Sequence, residues 1–495
     1  MKGLINQFGG EMDCFILLIL VLILVLINSS IKKRKIRIVS AVFSSIFIVA
    51  QSLSLYCTQS FIGYQFYVHS NLRGVVGMQG LFIAQMIIAS ISFIILLIVN
   101  IKANNINRLF SFLNLKRRNW LFNYGFKGIL TIFLISIVSI KGDFIADTET
   151  LLPLFMSNDT KDFKAALNKL NMSDYVTPKE IESKAGKNII IISMESLERG
   201  FLNGKFASST PNLNKLKNKW NYFDLKQNRG SEWTSASLYT YLTGFPALFG
   251  VHGNEIFHSV YNSNISSISH ALSKANYKTT YLNGNTDHAN VKEMLHVFRF
   301  DKIIDVKNTK KTGYESRYGL RDKDLFSLAK REIKIQNNSE NPFAVFISTT
   351  DTHFPNGFYD ERMEPVIPVK NTELEFAVAS LDYLIGDLIT FLEKEGILEN
   401  TTVYLFPDHL KMGDPTIMED IGERSLYCIT NSQSKNYDTN LYQVDLPKII
   451  LEGANIIHNL KFLSDYVTGD KDKYIRGNGR ALTEINIVGI LNKSE

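Results

Sequence analysis

Four apolar runs in the first 143 residues, at about 13–29, 38–57, 80–100 and 120–140, constrain this chain more than anything else in it. Each is near the ~20 residues that a helix needs to cross ~30 Å of hydrocarbon, where every backbone polar group must be satisfied internally. The charges between the runs alternate. Lys32, Lys33, Arg34, Lys35 and Arg37 separate the first two, and Lys102, Arg108, Lys116, Arg117 and Arg118 separate the last two. Only Arg73 lies between the second and third, and only Lys2 precedes the first. Basic loops stay on the cytoplasmic side, which predicts a four-helix transmembrane domain over 1–143 with both of its ends outside. A cleaved signal sequence fits the first run poorly, because its basic residues follow the apolar stretch and no small-residue cleavage site ends it.

Residues 1–143 hold 14 Lys/Arg against three acids, a net +11, so a chain with a total of +6 leaves −5 for everything beyond. A basic balance confined to apolar spans speaks of membrane topology, and no basic stripe interleaved with aromatics follows it, so nucleic acid is not an expected partner. With 45% hydrophobic and 21% charged residues the chain is not a disordered one. Cys14, Cys57 and Cys428 form no C-x-x-C pair, which excludes a structural cysteine–zinc site. The mixed, polar stretch 144–185 reads as a juxtamembrane linker, and 186–495 as one extracytoplasmic catalytic domain.

That domain alternates short β-rich runs with helical patterns. Strands are predicted at Asn188–Ser193, Lys278–Leu282, Phe343–Thr349, Thr402–Phe406 and Lys448–Leu451. Helices are predicted at Ser235–Leu242, Ile265–Ala275 and Glu375–Glu395, the last with Phe376, Leu381, Leu384, Ile385, Leu388 and Leu392 at helical spacing. Such alternation predicts an α/β domain with a doubly wound, mostly parallel sheet. Sheets of this kind bind ligands beyond the carboxyl ends of their strands. Here those ends carry Glu195-Ser196, Asn283-Gly284-Asn285 leading to Asp287-His288, Asp351-Thr352-His353, and Asp408-His409. An Asp-His pair after one strand is most often a turn with a hydrogen-bonded histidine. Four such ends together point to a metal site, and carboxylates with imidazoles suit Zn²⁺ or Mn²⁺.

A nucleophile belongs beside such a metal. Gly230-Ser231-Glu232-Trp233-Thr234-Ser235 has the pattern of a loop entering a helix, which would put Thr234 where free backbone N–H groups favour a phosphate. Coordination to a metal would lower the pKa of its hydroxyl. From this segment alone, Ser231, Thr234 or Ser235 serving as a helix cap accounts for the pattern as well.

Taken in order, Ile-Ile-Ile-Ile-Ser-Met-Glu195-Ser, Trp-Thr234-Ser-Ala-Ser and Pro-Asp408-His409-Leu410, behind several apolar spans, resemble the membrane-anchored sulfatase/alkaline-phosphatase-like transferases. Asp408-His409-Leu-Lys-Met is similar to the Asp-His-Leu-Ala-Met of the phosphoglycerol transferase I branch. Lipoteichoic acid synthases and phosphoethanolamine transferases are neighbouring branches. The resemblance covers most of 186–455. It implies that Glu195, Thr234, Asp408 and His409 bind one divalent ion, Mn or Zn, with Thr234 as the nucleophile of a phosphothreonine intermediate. It also implies substrate-binding roles for His353 and Asn290. The chain departs from relatives in ways that matter. Thr234-Ser-Ala-Ser lacks the Pro and Arg of true sulfatases, and His288-Ala289-Asn290-Val291 lacks the Trp-Asn-Arg of lipoteichoic acid synthases. Cys428 alone cannot supply the disulfides usual in lipid A phosphoethanolamine transferases.

The expected function is therefore a multi-pass phosphoglycerol transferase of the bacterial inner (cytoplasmic) membrane, its catalytic domain in the periplasm or outside. It would move phosphoglycerol from the membrane phospholipid phosphatidylglycerol to a hydroxyl of an extracytoplasmic glycan acceptor. A phosphoethanolamine transferase is the alternative enzyme, and a silent glycan-binding membrane protein the alternative from another class.

Overall fold

The computed structural model describes residues 11–31, 33–58, 61–62, 90–99, 101, 132–133, 136, 162–354, 356–412, 421–422, 424–432 and 440–491. The chain divides into two compact units, one built on the N-terminal 151 residues and the other on most of 152–495. In the first, helix α1 (Glu11–Ser30) is followed by helix α2 (Arg34–Thr58). Ile16, Leu20 and Ile23 pack with Leu55 and Phe61, and Asn28 donates to the Ser44 hydroxyl at 3.1 Å. Among the described residues, Arg34–Leu55 is long and apolar enough to cross a membrane; Asp13–Val25 and Ser90–Val99 are shorter apolar helices. The first two predicted spans are thus helical, and of the third the described residues 90–99 are helical. Most of the fourth, and 144–161 of the predicted linker, lie outside the described residues.

The second unit is built on a seven-stranded sheet. Its strands are β1 (Asn188–Met194), β2 (Asn221–Leu225), β3 (Lys278–Leu282), β4 (Lys302–Ile304), β5 (Phe343–Ser348), β6 (Thr401–Pro407) and β7 (Leu426–Thr430). They lie in the order β2-β7-β6-β1-β5-β3-β4. The five strands from β6 to β4 are parallel, and β7 runs antiparallel to both β6 and β2. β1 is central and buried along its whole length, which is why it reads as an unbroken Ile run with no alternation. Its register aligns Met194 with Pro407 of β6 and Ser193 with Ser348 of β5. Three strand ends therefore open at one level.

Three helices matter to the site and its support: α3 (Thr234–Thr243), α4 (Asp322–Asn337) and α5 (Glu373–Lys394). The Thr372 side chain caps α5 by accepting from the Glu375 N–H, with Glu373 and Glu375 in the first turn to meet the dipole. All six apolar positions of its predicted stripe are buried in the cluster that underlies β1, β5 and β6. Helix α3 ends at Gly244, whose φ of +76° is the left-handed turn that stops a helix.

One predicted strand is wrong. Lys448–Leu451 lies inside a helix, Leu446–Gly453. Pro447 sits in its first turn, where a missing N–H costs nothing, and Leu446, Ile449 and Ile450 repeat on one buried side. A four-residue apolar run reads alike in either state, and the flanking proline was the deciding signal. Strands β2, β4 and β7 have no counterpart among the predicted strands.

Candidate functional site

Glu195, Thr234, Asp408 and His409 come together at the carboxyl ends of β1 and β6. Glu195 is the residue after β1, and its N–H donates to the Thr349 hydroxyl at 2.9 Å, fixing it against the end of β5. Asp408 follows β6 and continues the ladder, its N–H bonding the Met194 carbonyl at 3.0 Å. Between them Ser196, at φ +53°, turns so that its N–H donates to Asp408 Oδ1 and its hydroxyl to Glu195 Oε1. A non-glycine residue in the left-handed region is unusual, and here the turn holds two carboxylates side by side.

Thr234 opens α3 from the other side. Its Oγ1 donates to Glu195 Oε2 at 2.9 Å and lies 3.4 Å from His409 Nε2. It caps nothing: the residue ahead of the helix is Trp233, which makes no side-chain cap. Ser231 pairs with Thr240, and the Ser235 hydroxyl receives the Asn254 amide at 2.7 Å. The capping reading of this segment therefore does not describe its hydroxyls.

His409 Nδ1 lies 2.8 Å from the Leu410 carbonyl, which can only accept, so Nδ1 carries a proton, and in the neutral ring the Nε2 lone pair faces the cluster. Nε2 lies 3.5 Å from Glu195 Oε1 and 3.6 Å from Asp408 Oδ2. One donor atom from each of Glu195, Asp408 and His409 falls within 4.8 Å of the others. Asp408 Oδ2 is buried and accepts no hydrogen bond, although such an atom ordinarily costs free energy. Burial, then the Glu195 charge beside it, push the Asp408 carboxyl well above the usual range. Burial acts on Glu195 in the same sense but is outweighed by the charges of His353 and His409, which hold it low. Burial lowers His409, but Asp408 and Glu195 raise it on balance. An orphaned oxygen, two crowded carboxylates and an imidazole lone pair are the donor set that a divalent cation completes, so these residues fit one.

His353 lies on the loop after β5, half-buried, with Nδ1 3.0 Å from the Phe354 carbonyl and its ring 4.2 Å from that of Tyr318. Burial lowers its pKa, and its charge acts on Glu195. Tyr318 reaches this position because Gly284 and Gly319 pack backbone to backbone, the latter at φ +90°, with no room for a Cβ on either. Asn290 is not brought into the cluster. It sits half-buried at φ +53° ahead of a short helix, Val291–Val297, and among the described residues no hydrogen bond joins it to the four. Its near neighbour His288 meets the far edge of Tyr318 instead.

Three contributors were given no role from the sequence. Thr352 donates its hydroxyl to the Glu195 carbonyl at 2.5 Å. Gln443 donates to the carbonyls of Asp408 and Ser231, joining the two arms of the site. Lys411, two residues beyond His409, is buried with its ammonium on the Thr352 carbonyl. Thr352 and Lys411 were visible beside recognised residues; Gln443 is defined only by the fold.

The sulfatase family model matches residues 187–451. Phosphoglycerol transferase I of Xanthomonas campestris pv. campestris (strain B100) is 27% identical over 293 residues, covering 55% of this chain and 41% of the relative. That of Citrobacter koseri is 25% identical over 252 residues, covering 48% and 33%. The chain thus spans well under half the length of these curated relatives. Among solved structures, the lipoteichoic acid synthase LtaP of Listeria monocytogenes aligns at a TM-score of 0.46 and 20% identity, covering 59% of this chain and 78% of that one.

Proposed function

Because the chain belongs to the sulfatase family, with a match over more than half its length, we propose that it is a phosphotransferase acting on a membrane phospholipid, specifically a phosphoglycerol transferase. The donor would be phosphatidylglycerol and the acceptor a hydroxyl of an extracytoplasmic glycan, with the chain held in a bacterial cytoplasmic membrane by several spans. The observation that carries the reading is the Thr234 hydroxyl, uncommitted to capping and 2.9 Å from Glu195 within the carboxylate–imidazole cluster. Similarity to relatives named phosphoglycerol transferase I supports the choice of group transferred.

Glu195, Thr234, Asp408 and His409 would hold one Mn²⁺ or Zn²⁺ ion, which would lower the pKa of the threonine hydroxyl and offset charge on the phosphoryl oxygens. Thr234 Oγ1 attacks the donor phosphorus, forming the O–P bond of a phosphothreonine diester as the bond to diacylglycerol breaks. Its proton passes along the existing hydrogen bond, by way of Glu195 Oε2, to the departing diacylglycerol oxygen. The acceptor hydroxyl then displaces Oγ1 and restores the free threonine. The N-terminus of α3 presents backbone N–H groups to the phosphoryl oxygens, and His353 serves the substrate phosphate. The protein's work is position and electrostatics, which is what phosphoryl transfer requires.

The test is the full chain in nanodiscs with labelled phosphatidylglycerol. Diacylglycerol release and a glycerophosphorylated peptide containing Thr234 are expected. Mass spectrometry of surface glycans with and without the protein should show the loss of phosphoglycerol; loss of phosphoethanolamine would move the assignment to the other lipid.

A further inference from the structure

We propose that Lys411 is a positioning residue of this site, whose ammonium holds the Thr352–His353 arm beside the carboxylate cluster and balances the charge of an anionic phosphodiester. The proposal rests on the phosphotransferase reading and adds to it a residue with no part in the donor set. Lys411 is 1% exposed, so its ammonium has left water and keeps its charge only against nearby partners. Nζ donates to the Thr352 carbonyl at 3.0 Å. The Thr352 hydroxyl in turn donates to the Glu195 carbonyl, and the next residue is His353. One amine therefore ties the Asp408–His409 arm to the arm that carries His353.

The backbone beneath it is fixed as firmly. The Lys411 N–H donates to Glu198 Oε2 at 2.7 Å, and that fully buried carboxylate is gripped by Arg424 at 2.8 Å. The side chain thus extends from an anchored point, and the cost of ordering it is met before any substrate arrives.

Charge gives the reason for an amine here. Glu195 and Asp408 together match a divalent cation, so a phosphodiester monoanion entering a buried site would bring one uncompensated negative charge. Lys411 supplies the missing positive charge at a fixed place, and its field acts on Glu195, His353 and His409 alike.

The experiment uses the full chain in detergent, loaded with Mn²⁺, with inorganic phosphate as the anion probe in titration calorimetry. Lys411→Met keeps the length and removes the charge, and Lys411→Arg keeps the charge. Expected is phosphate binding weaker by 10-fold or more in Lys411→Met, and within about threefold of wild type in Lys411→Arg, with equal metal content in all three. With phosphatidylglycerol, Lys411→Met should raise KM more than it lowers kcat. Weaker phosphate binding without phosphatidylglycerol turnover by the wild type would keep Lys411 and overturn the donor. Equal phosphate affinity in Lys411→Met and wild type, or loss of metal in both variants, would overturn the proposal.

Discussion

Thr234 and Glu195 meet through a 2.9 Å hydrogen bond across two elements that share no strand pairing, one residue opening α3 and the other closing β1. The carboxylate accepts a hydrogen bond from the hydroxyl in the resting site, so the oxygen that would attack is already aimed.

A threonine that merely stabilised a helix end would cost about 1 kcal/mol on truncation and leave chemistry intact. Thr234→Ala is instead expected to lower transfer on the order of 10⁴-fold, as removal of a nucleophile does, with the melting temperature nearly unchanged. Thr234→Ser should retain part of the activity. Rates of diacylglycerol release check this, and full turnover by Thr234→Ala would end the covalent mechanism.

Metal content gives the second prediction. Asp408→Ala and His409→Ala should each purify with little bound Mn²⁺ or Zn²⁺ by elemental analysis. Asp408→Asn should do the same, yet in the metal-free state it should be more stable than wild type by about 1–2 kcal/mol. It keeps an oxygen for the Ser196 and His409 N–H groups and removes a charge facing Glu195. Equal metal in wild type and all three variants would refute the site.

The third concerns pH. Asp322 opens α4 and accepts the N–H groups of Thr350 and Asp351, shaping the loop that carries His353. Burial, only partly opposed by those bonds, raises its carboxyl to about 6. The folded state therefore binds this proton more tightly than the unfolded one. The stabilising contribution is complete below about pH 4 and is lost as pH rises through 6. Asp322→Asn should flatten that part of the curve, because the side chain no longer takes up this proton on folding. Urea titrations of both proteins across this range give the comparison, and parallel curves would contradict it.

Topology is the fourth. With the two basic loops inside, a phosphatase reporter fused after residue 495 should be active outside the cytoplasm. Activity of a cytoplasm-dependent reporter at the same junction would rule out the four-span arrangement.

The sequence was most legible where one residue type answers to one physical demand. The β-branched Ile run of β1 reads as a strand and is buried along its whole length, and the apolar stripe of α5 reads as one side of a helix. Glu195, Asp408 and His409 were legible because each lies within two residues of a strand's carboxyl end, so local pattern gave position. Strand β2, Asn221–Leu225, was not: at the sheet's edge it mixes Tyr222 and Asp224 with Phe223, and its pairing to β7 reaches some 200 residues ahead. β4 is three residues long, too short for any period to show. Asn290 was assigned by motif position alone; it sits in a left-handed turn at 289–290, and His288 just ahead of that turn meets Tyr318.

The register that sets Met194 against Pro407 has a consequence in time. Glu195 and Asp408 are neighbours in space but 213 positions apart in the chain. At synthesis rates of ~5–20 residues per second, roughly 10–40 seconds pass between the two. A nascent chain that has made only β1 offers an ion one carboxylate, which a divalent cation has little reason to choose over water. An ion held by both carboxylates could be captured only after β6 has slotted in beside β1, so loading with metal would mark the end of folding and could not guide its beginning.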